Sequence, residues 1–111
     1  MEDRYLFKGK EKDSGEWVTW NIFSGLYGHD IDKSTICQCT GLKDRNGRLI
    51  WENDIVKINN SKMNTLITFR DFEIICTIPN EKYYKHRLEY DTEYEVIGNI
   101  FDNPELLESE E

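Results

Sequence analysis

The stretch Gln38-Cys-Thr-Gly-Leu-Lys-Asp-Arg-Asn-Gly-Arg-Leu-Ile-Trp-Glu-Asn-Asp-Ile-Val-Lys57 carries the strongest signal for the fold. Its centre, Asn46-Gly47, combines two residues that tolerate the positive φ angles of a tight hairpin turn. The segments on either side of residues 43–47 are therefore predicted to pair as antiparallel strands. Beyond the turn, polar residues 52–54 interrupt an apolar run, which indicates a bend or bulge because a straight strand would keep its alternation. Asn53 can adopt the left-handed conformation that such a bend requires.

The segments before this hairpin are also typical of short strands separated by turns. Residues 4–8 and 16–23 are predicted to form an opening hairpin, because residues 12–15 contain the Asp, Ser and Gly that tight turns use. A looser stretch at residues 24–33 is predicted to cross the surface. It leads into a short strand predicted at residues 34–40.

Further strands are predicted after the central hairpin. In residues 65–78 the apolar positions change parity at residues 70–71, so a tight turn or a bulge is predicted between two strands there. The last strand is predicted at residues 93–101. Asn103 is then predicted to cap a short helix that begins at Pro104.

Together these segments predict one small, mainly β domain. The order of strands and turns indicates an SH3-like, partly open barrel or a related antiparallel sheet. A chain of 111 residues has the usual size of a single domain. Its predicted parts are an N-terminal hairpin at 4–23, a barrel-like core at 34–101, a short helix at 103–108 and a frayed tail at 109–111.

The charge balance restricts the partners of the chain. It has 22 acidic and 14 basic residues, and a net charge of −8 repels nucleic acid and anionic lipid at long range. Direct binding of DNA or RNA is therefore disfavoured. No apolar run approaches the roughly 18 residues of a membrane helix, and the N-terminus lacks the features of a signal peptide. We expect a folded protein that makes no membrane contact and stays in the cytoplasm where it is made.

The cysteines and histidines do not have the spacing of a metal site. Soft donors are limited to three cysteines and two histidines, at Cys37, Cys39, Cys76, His29 and His86. Three cysteines in a reducing compartment favour buried free thiols over a disulfide framework. We expect no metal and no other cofactor.

Four short motifs resemble the YopX family of small bacteriophage and prophage proteins. They are Phe7-Lys-Gly-Lys10, Gly15-Glu-Trp-Val18, Thr40-Gly-Leu-Lys-Asp-Arg-Asn-Gly47 and Ile97-Gly-Asn-Ile-Phe-Asp-Asn-Pro-Glu105. Family members commonly have Gly-Asp-Ile-Val where this chain has Asn53-Asp-Ile-Val56. The resemblance implies a phage or prophage origin and a bacterial cytoplasm, and it implies no reaction. It is weakest over residues 59–92.

No motif for catalysis accompanies the resemblance. The two histidines are predicted in loops without a nucleophile motif, and no glycine-rich phosphate loop is present. No pair of carboxylates stands out from the 22 acidic residues as one with divided pKa values. We therefore expect a protein that is not an enzyme.

A basic segment and an acidic row are the candidate partner-binding residues. The basic segment contains Lys82, Tyr83, Tyr84, Lys85 and Arg87. Positive charges interleaved with aromatic rings occur in single-stranded nucleic-acid sites, but in a chain of net charge −8 an exposed hairpin or an interface arm is favoured. In the acidic row, Glu89, Asp91, Glu93 and Glu95 occupy every second position, which in a strand places four carboxylates on one face at steps of about 6.6 to 6.8 Å. The row can be the solvated face of an edge strand that resists aggregation. It can also imitate the phosphates of a nucleic acid.

The sequence thus predicts a phage-derived accessory protein that acts by binding protein. One hypothesis is an interaction or assembly module that binds a host or phage protein or forms a homo-oligomer. The alternative is an acidic mimic of nucleic acid that inhibits a nucleic-acid-binding host protein. A small enzyme with carboxylates as acid and base is a third hypothesis, which a deep pocket lined by close carboxylates would favour.

Overall fold

The structure is a computed structural model that describes residues 5–26, 28–59, 64–70, 73–77, 85–87 and 93–107. These residues form nine β-strands and one short 3-10 helix. The strands are β1 (Leu6–Glu11), β2 (Trp17–Asn21), β3 (Ile31–Lys43), β4 (Leu49–Trp51), β5 (Asp54–Ile58), β6 (Thr65–Arg70), β7 (Glu73–Thr77), β8 (Lys85–Arg87) and β9 (Tyr94–Asn99). The 3-10 helix is Pro104–Leu107.

The strands are arranged in two antiparallel sheets. One sheet has four strands in the order β2-β1-β3-β4, and the other has five in the order β8-β7-β6-β5-β9. The prediction of a mainly β fold is confirmed in its antiparallel-sheet form, because the described strands do not close into a barrel. Within these residues, none of the helical structure has the length and apolar character needed to cross a membrane.

The predicted N-terminal hairpin is confirmed as β1 and β2. Phe7 lies opposite Trp20 and Lys10 opposite Trp17. The chain reverses at Gly15, which has a φ of 73° and donates its N–H to the Glu11 carbonyl at 2.9 Å. Since side chains alternate across strands, Phe7 and Trp20 project from one face of the hairpin, while Lys8, Lys10 and Trp17 project from the other.

The third strand is longer than the sequence predicted. β3 begins at Ile31, not at residue 34, and contains 13 residues. Its register against β1 shifts between Lys8 and Lys10, where β3 bulges. Thr35 closes this bulge, because its hydroxyl accepts the Lys10 N–H at 2.8 Å and donates to the Asp32 carbonyl at 2.6 Å. The local sequence did not reveal this strand start, because polar residues follow Ile31 and interrupt the apolar alternation.

The predicted Asn-Gly turn joins β3 to β4 and also contacts the other sheet. The Asp44 carboxylate accepts the backbone N–H groups of Asn46 and Arg48, each at 2.9 Å, through Oδ1. Its Oδ2 accepts the N–H of Val96 in β9 at 3.0 Å. The neighbouring Arg45 N–H donates to the Tyr94 carbonyl at 2.8 Å. The turn therefore binds the outer edge of β9 and holds the two sheets together.

The predicted bend between β4 and β5 is confirmed at residues 52–53. Asn53 has a φ of 71°, the left-handed conformation expected at this position. Its N–H donates to the Ile67 carbonyl at 2.7 Å, and its own carbonyl accepts the Ile100 N–H at 3.1 Å. Through this tight turn the chain passes directly from β4 of the four-stranded sheet to β5 of the five-stranded sheet.

The main core cluster joins β4 to the five-stranded sheet. Its members are between 0% and 7% exposed and come from four strands: Ile50, Val56, Ile67, Tyr94 and Val96. Leu42 and Ile58 pack against it. Cys37 and Cys39 are buried, as predicted. The side chain of Cys76, in β7, lies outside the described residues.

The C-terminal helix is confirmed as a single 3-10 turn that begins at Pro104. The Asn103 carbonyl accepts the Leu106 N–H at 3.1 Å, but the Asn103 side chain accepts the N–H of Asn99 at 3.3 Å. Asn103 therefore anchors the turn to the end of β9, a role that the predicted capping position did not include. The predicted tail at 109–111 lies outside the described residues.

The left-handed Asn53 generates a prediction about stability. Asn53→Ala should lower the free energy of unfolding by about 1 to 2 kcal/mol, because the Cβ atom of alanine clashes with the backbone at positive φ. Asn53→Gly should lie closer to the wild type, since glycine adopts this conformation freely. Urea unfolding of the three proteins measures the difference. Equal losses in both variants would show that the backbone conformation is not the constraint.

The Asp44 carboxylate generates a second prediction. Burial acts to raise the pKa of Asp44, but the N–H groups of Val96, Arg48 and Asn46 outweigh it and hold that pKa below the ordinary value of 3.8. Asp44→Asn should lower the free energy of unfolding at pH 7 by about 2 kcal/mol, because the new amide meets the Val96 N–H as a second donor.

The pH dependence of the Asp44 variant has a definite sign. Stability supplied by a carboxylate with a lowered pKa is present above its unfolded-state pKa and is lost as the pH falls through the folded-state pKa. The gap between wild type and Asp44→Asn in urea unfolding should therefore narrow in acid. Asp13→Asn, which removes the same charge from an exposed turn, is the control and should show little change.

Candidate functional site

The structure describes half of the predicted acidic row. Glu93 is exposed and directly precedes β9, while Glu95 lies within β9, is half-buried and pairs in register with Lys57. Tyr94 and Val96 are buried, so the predicted alternation holds over residues 93–96. Glu89 and Asp91 lie outside the described residues. A continuous row of four carboxylates on one strand therefore stays a prediction.

The basic segment is also described in part. Lys85 and Arg87 belong to β8, where they pair with Thr77 and Ile75 of β7. Lys82, Tyr83 and Tyr84 lie outside the described residues. β8 and β9 occupy opposite edges of the five-stranded sheet, which at ordinary strand spacing separates them by about 19 Å. Although close in sequence, the two described portions are thus not neighbours in the sheet.

The outer edge of β9 is not a bare row of backbone groups. Two of its polar groups, the Tyr94 carbonyl and the Val96 N–H, bond to the turn at Asp44 and Arg45. This turn covers the edge beside Glu95. An edge strand covered by a loop is one of the ways in which proteins prevent edge-to-edge aggregation.

Within the described ranges, no three His, Cys, Asp or Glu side chains are grouped so that they could hold a metal ion. His29 instead contacts Glu11, with Nδ1 at 2.8 Å from Oε2. Burial raises the pKa of the Cys37 thiol, so this cysteine is a packed thiol and not a ready thiolate ligand.

A cleft of about 640 Å³ lies between the two sheets, and sequence reasoning did not find it. We call it the intersheet cleft. One wall comes from β1, β2 and β4, and the other from β5, β9 and the turn that follows β9. The lining residues are Lys8, Trp17, Arg48, Leu49, Trp51, Asp54, Val96, Ile97, Gly98, Asn99, Asp102 and Asn103.

Lys8 places its ammonium group between two indole rings of the cleft. Its Nζ atom lies 4.5 Å from the ring centroid of Trp17 and 4.9 Å from that of Trp51. The β1–β2 register sets this contact, because Trp17 is the diagonal neighbour of Lys8 on the same face of the hairpin. Both distances suit an attraction between a cation and an aromatic ring.

Asp102 fixes one side of the cleft. It forms an ion pair with Lys10, accepts the Trp17 Nε1–H at 2.9 Å and accepts the Asn99 side-chain amide at 3.1 Å. The Lys10 ammonium and then the Trp17 indole lower the pKa of Asp102 to about 2. This carboxylate is therefore ionised and fully engaged at neutral pH.

Gly98 lets the turn after β9 pack against that strand. A Cβ atom at this position would lie 2.6 Å from Asn103 Oδ1 and 2.9 Å from Leu106 Cδ1. Such distances are far inside van der Waals contact, so a side chain at position 98 would displace the side chains of Asn103 and Leu106. The present packing of these two side chains against β9 therefore requires a glycine at position 98.

Asp54 is a buried carboxyl group in the wall of the cleft. It is 3% exposed, and its Oδ2 accepts the Trp51 N–H at 2.8 Å. Burial raises the pKa of Asp54 from 3.8 to about 6, although the Trp51 N–H and the charges of Lys8 and Arg48 act in the opposite direction. The cleft thus holds two carboxyl groups with widely separated pKa values, the feature that the sequence could not single out.

The opposite face of the N-terminal hairpin carries apolar side chains at the surface. The rings of Phe7 and Trp20 stack with centroids 6.3 Å apart, and Ile36 approaches Trp20 over Gly9. Phe23 and Ile22, just after β2, are 73% and 57% exposed, and Ile36 is 37% exposed. We call these five residues the apolar surface. The predicted binding residues did not include them.

The raised pKa of Asp54 generates a pH prediction. A folded-state pKa of about 6 against an ordinary 3.8 corresponds to about 3 kcal/mol of stability that is present below pH 4 and lost as the pH rises through 6. Asp54→Asn keeps an acceptor for the Trp51 N–H and carries no charge. It should therefore be more stable than wild type at pH 7 by up to about 3 kcal/mol.

Urea unfolding of both proteins from pH 4 to pH 8 tests the Asp54 prediction. The difference should shrink toward zero near pH 4. Glu105→Gln, at an exposed position of the 3-10 helix, controls for the loss of one negative charge. A difference that does not change with pH would show that Asp54 has an ordinary pKa.

Comparison with known proteins supplies the family of the chain. A search of curated proteins found no match. The family model described as YopX protein matches residues 2–108, nearly the whole chain. The four motifs that carried the resemblance fall within this span. The chain therefore belongs to the YopX family.

Proposed function

We propose that this YopX-family chain is a phage- or prophage-encoded accessory protein that acts without catalysis by binding another protein. The apolar surface on the N-terminal hairpin is the observation that carries the proposal. Its most exposed member, Phe23, touches Tyr5 with ring centroids 5.5 Å apart and is otherwise open to solvent over 73% of its surface. Grouped exposed apolar side chains are typical of protein interaction sites.

The energetics favour an interface at this surface. Burying a phenylalanine side chain from water stabilises a complex by about 1.5 to 3 kcal/mol. Ile22, beside Phe23 in the chain, and Ile36, beside Gly9, add further exposed apolar area. In addition, β2 is the edge strand of the four-stranded sheet, and such an edge offers backbone N–H and C=O groups to a strand of a partner. Apolar contact and strand pairing are thus available on one hairpin.

The net charge of the chain predicts different salt dependence for self-association and for binding of a different protein. Two copies of a chain with net charge −8 repel each other, and salt weakens that repulsion. Self-association through the apolar surface should therefore strengthen with added salt. A different partner of opposite charge would be released by salt, and a neutral partner would respond little.

Phe23→Ser tests the apolar surface. The change should weaken self-association or partner binding by about tenfold or more, because it removes most of the apolar area of that side chain. The free energy of unfolding should change by less than about 1 kcal/mol, since the side chain is exposed. Sedimentation velocity at low and high salt measures self-association, and capture from nuclease-treated lysates of phage-carrying bacteria measures partner binding.

Thr19→Ala is the matched control, because Thr19 is an exposed residue of the same strand β2 on its opposite side. A monomer that retains no partner would contradict the proposal, as would a Phe23→Ser variant that retains every partner of the wild type.

The double variant Glu93→Gln with Glu95→Gln, used in the same capture experiment, tests the alternative that the acidic row imitates a nucleic acid. Loss of a nucleic-acid-binding protein from that variant alone would favour the mimic over the apolar surface.

A further inference from the structure

We propose that the intersheet cleft is a binding site for a small anionic ligand with a planar aromatic ring, of the size and chemistry of a nucleoside monophosphate. This inference does not rest on the proposed protein-binding function. Lys8 and Trp17 line the cleft, whereas Phe7 and Trp20 of the apolar surface project from the other face of the same hairpin.

The size of the cleft suits a small molecule. Its volume of about 640 Å³ lies in the middle of the range of ligand sites, roughly 300 to 1,000 Å³. Such sites combine apolar walls with a few well-placed polar groups. Here two indoles and Leu49, Val96 and Ile97 supply apolar surface, and the amides of Asn99 and Asn103 supply hydrogen-bonding groups.

The aromatic walls indicate a flat ring in the ligand. Trp17 and Trp51 come from different parts of the chain, yet both lie within 5 Å of the same ammonium group when measured from their ring centroids. Stacking of a nucleobase on an aromatic side chain stabilises binding by about 1 to 3 kcal/mol. The Asp102 carboxylate holds the Trp17 ring in place through Nε1. A ring that stacks on either indole would take the place of the Lys8 ammonium, which would move to the anionic group of the ligand.

The charges in the cleft indicate an anion. Lys10 is matched by Asp102, but among the described residues no carboxylate forms an ion pair with Lys8 or with Arg48. The cleft is lined by two cations, Lys8 and Arg48, and two carboxyl groups, Asp54 and Asp102. Because Lys10 from outside the lining already neutralises Asp102, Lys8 and Arg48 face Asp54 alone. In a chain with net charge −8, the cleft is a local exception that favours an anionic group near Lys8 and Arg48.

Isothermal titration calorimetry of the full chain with adenosine, cytidine, guanosine and uridine monophosphates tests the proposal. At least one should bind at millimolar or lower concentration, and Trp fluorescence should change in parallel because two of the three tryptophans line the cleft. The matching nucleoside and inorganic phosphate are the component probes. Each should bind at least about tenfold more weakly than the monophosphate, since each retains only part of the recognised chemistry.

Two variants assign the binding to the cleft. Lys8→Met keeps the length of the side chain and removes its charge, so the affinity for the best monophosphate should fall at least about tenfold. Trp51→Leu should reduce the affinity by a similar factor through loss of stacking. Lys12→Met is the matched control, because Lys12 is an exposed lysine in the β1–β2 turn and should bind as wild type. Near-ultraviolet circular dichroism checks that each variant is folded.

The results divide clearly. Absence of binding by all four monophosphates to folded wild-type protein would overturn the proposal, and so would wild-type affinity in Lys8→Met. If phosphate or the nucleoside binds as tightly as the monophosphate, the ligand is not recognised by a ring and an anionic group together, and the proposal is overturned.

A 5′-phosphorylated short single strand distinguishes the source of the ligand. If it binds more tightly than the mononucleotide, the ligand is the phosphorylated end of a nucleic acid. Phe23→Ser should bind nucleotide as wild type, so failure of this proposal is separable from failure of the protein-binding surface.

Discussion

The carboxylate of Asp44 is the interaction on which the relation between the two sheets depends. It accepts two N–H groups of its own turn and a third from Val96 in β9. Ionised carboxylates form stronger hydrogen bonds than neutral acceptors, and here one carboxylate replaces a missing strand at the edge of the five-stranded sheet. Together with the tight β4–β5 turn at Asn53 and the contacts of Asp102 with Lys10 and Trp17, it connects the two sheets around the intersheet cleft.

The intersheet cleft holds two charged groups that lower the stability of the fold, and the core of a purely structural domain would lack them. Asp54 is nearly fully buried with one N–H donor, that of Trp51, so its ionisation opposes folding at neutral pH. Lys8 holds a charged group between two indoles. Groups with perturbed protonation that line a cleft are enriched at functional sites. This combination supports the ligand site proposed for the intersheet cleft.

Strand alternation allows the N-terminal hairpin to serve two surfaces. One face presents Lys8 and Trp17 to the cleft, and the other presents Phe7 and Trp20 to the outside. A shift of one residue in the β1–β2 register would exchange these sets. The Gly15 turn fixes that register, while the Thr35 hydrogen bond to Lys10 fixes the pairing of β1 with β3. Substitutions on opposite faces of the hairpin therefore test the proposed protein-binding surface and the proposed ligand site independently.

The sequence by itself determined the features that depend on neighbouring residues: the mainly β class, the Asn-Gly turn, the left-handed Asn53 and the short turn after Pro104. These follow from local φ preferences and side-chain alternation. Only the tertiary structure decided the early start of β3, the placement of β8 and β9 at opposite edges, and the convergence of Lys8, Trp51 and Asp102 on one cleft. Those features depend on the register between strands that are distant in sequence. They also depend on which backbone groups the strands leave unpaired for Asp44 and Asn103 to bind. A local sequence pattern encodes neither the register nor these unpaired groups.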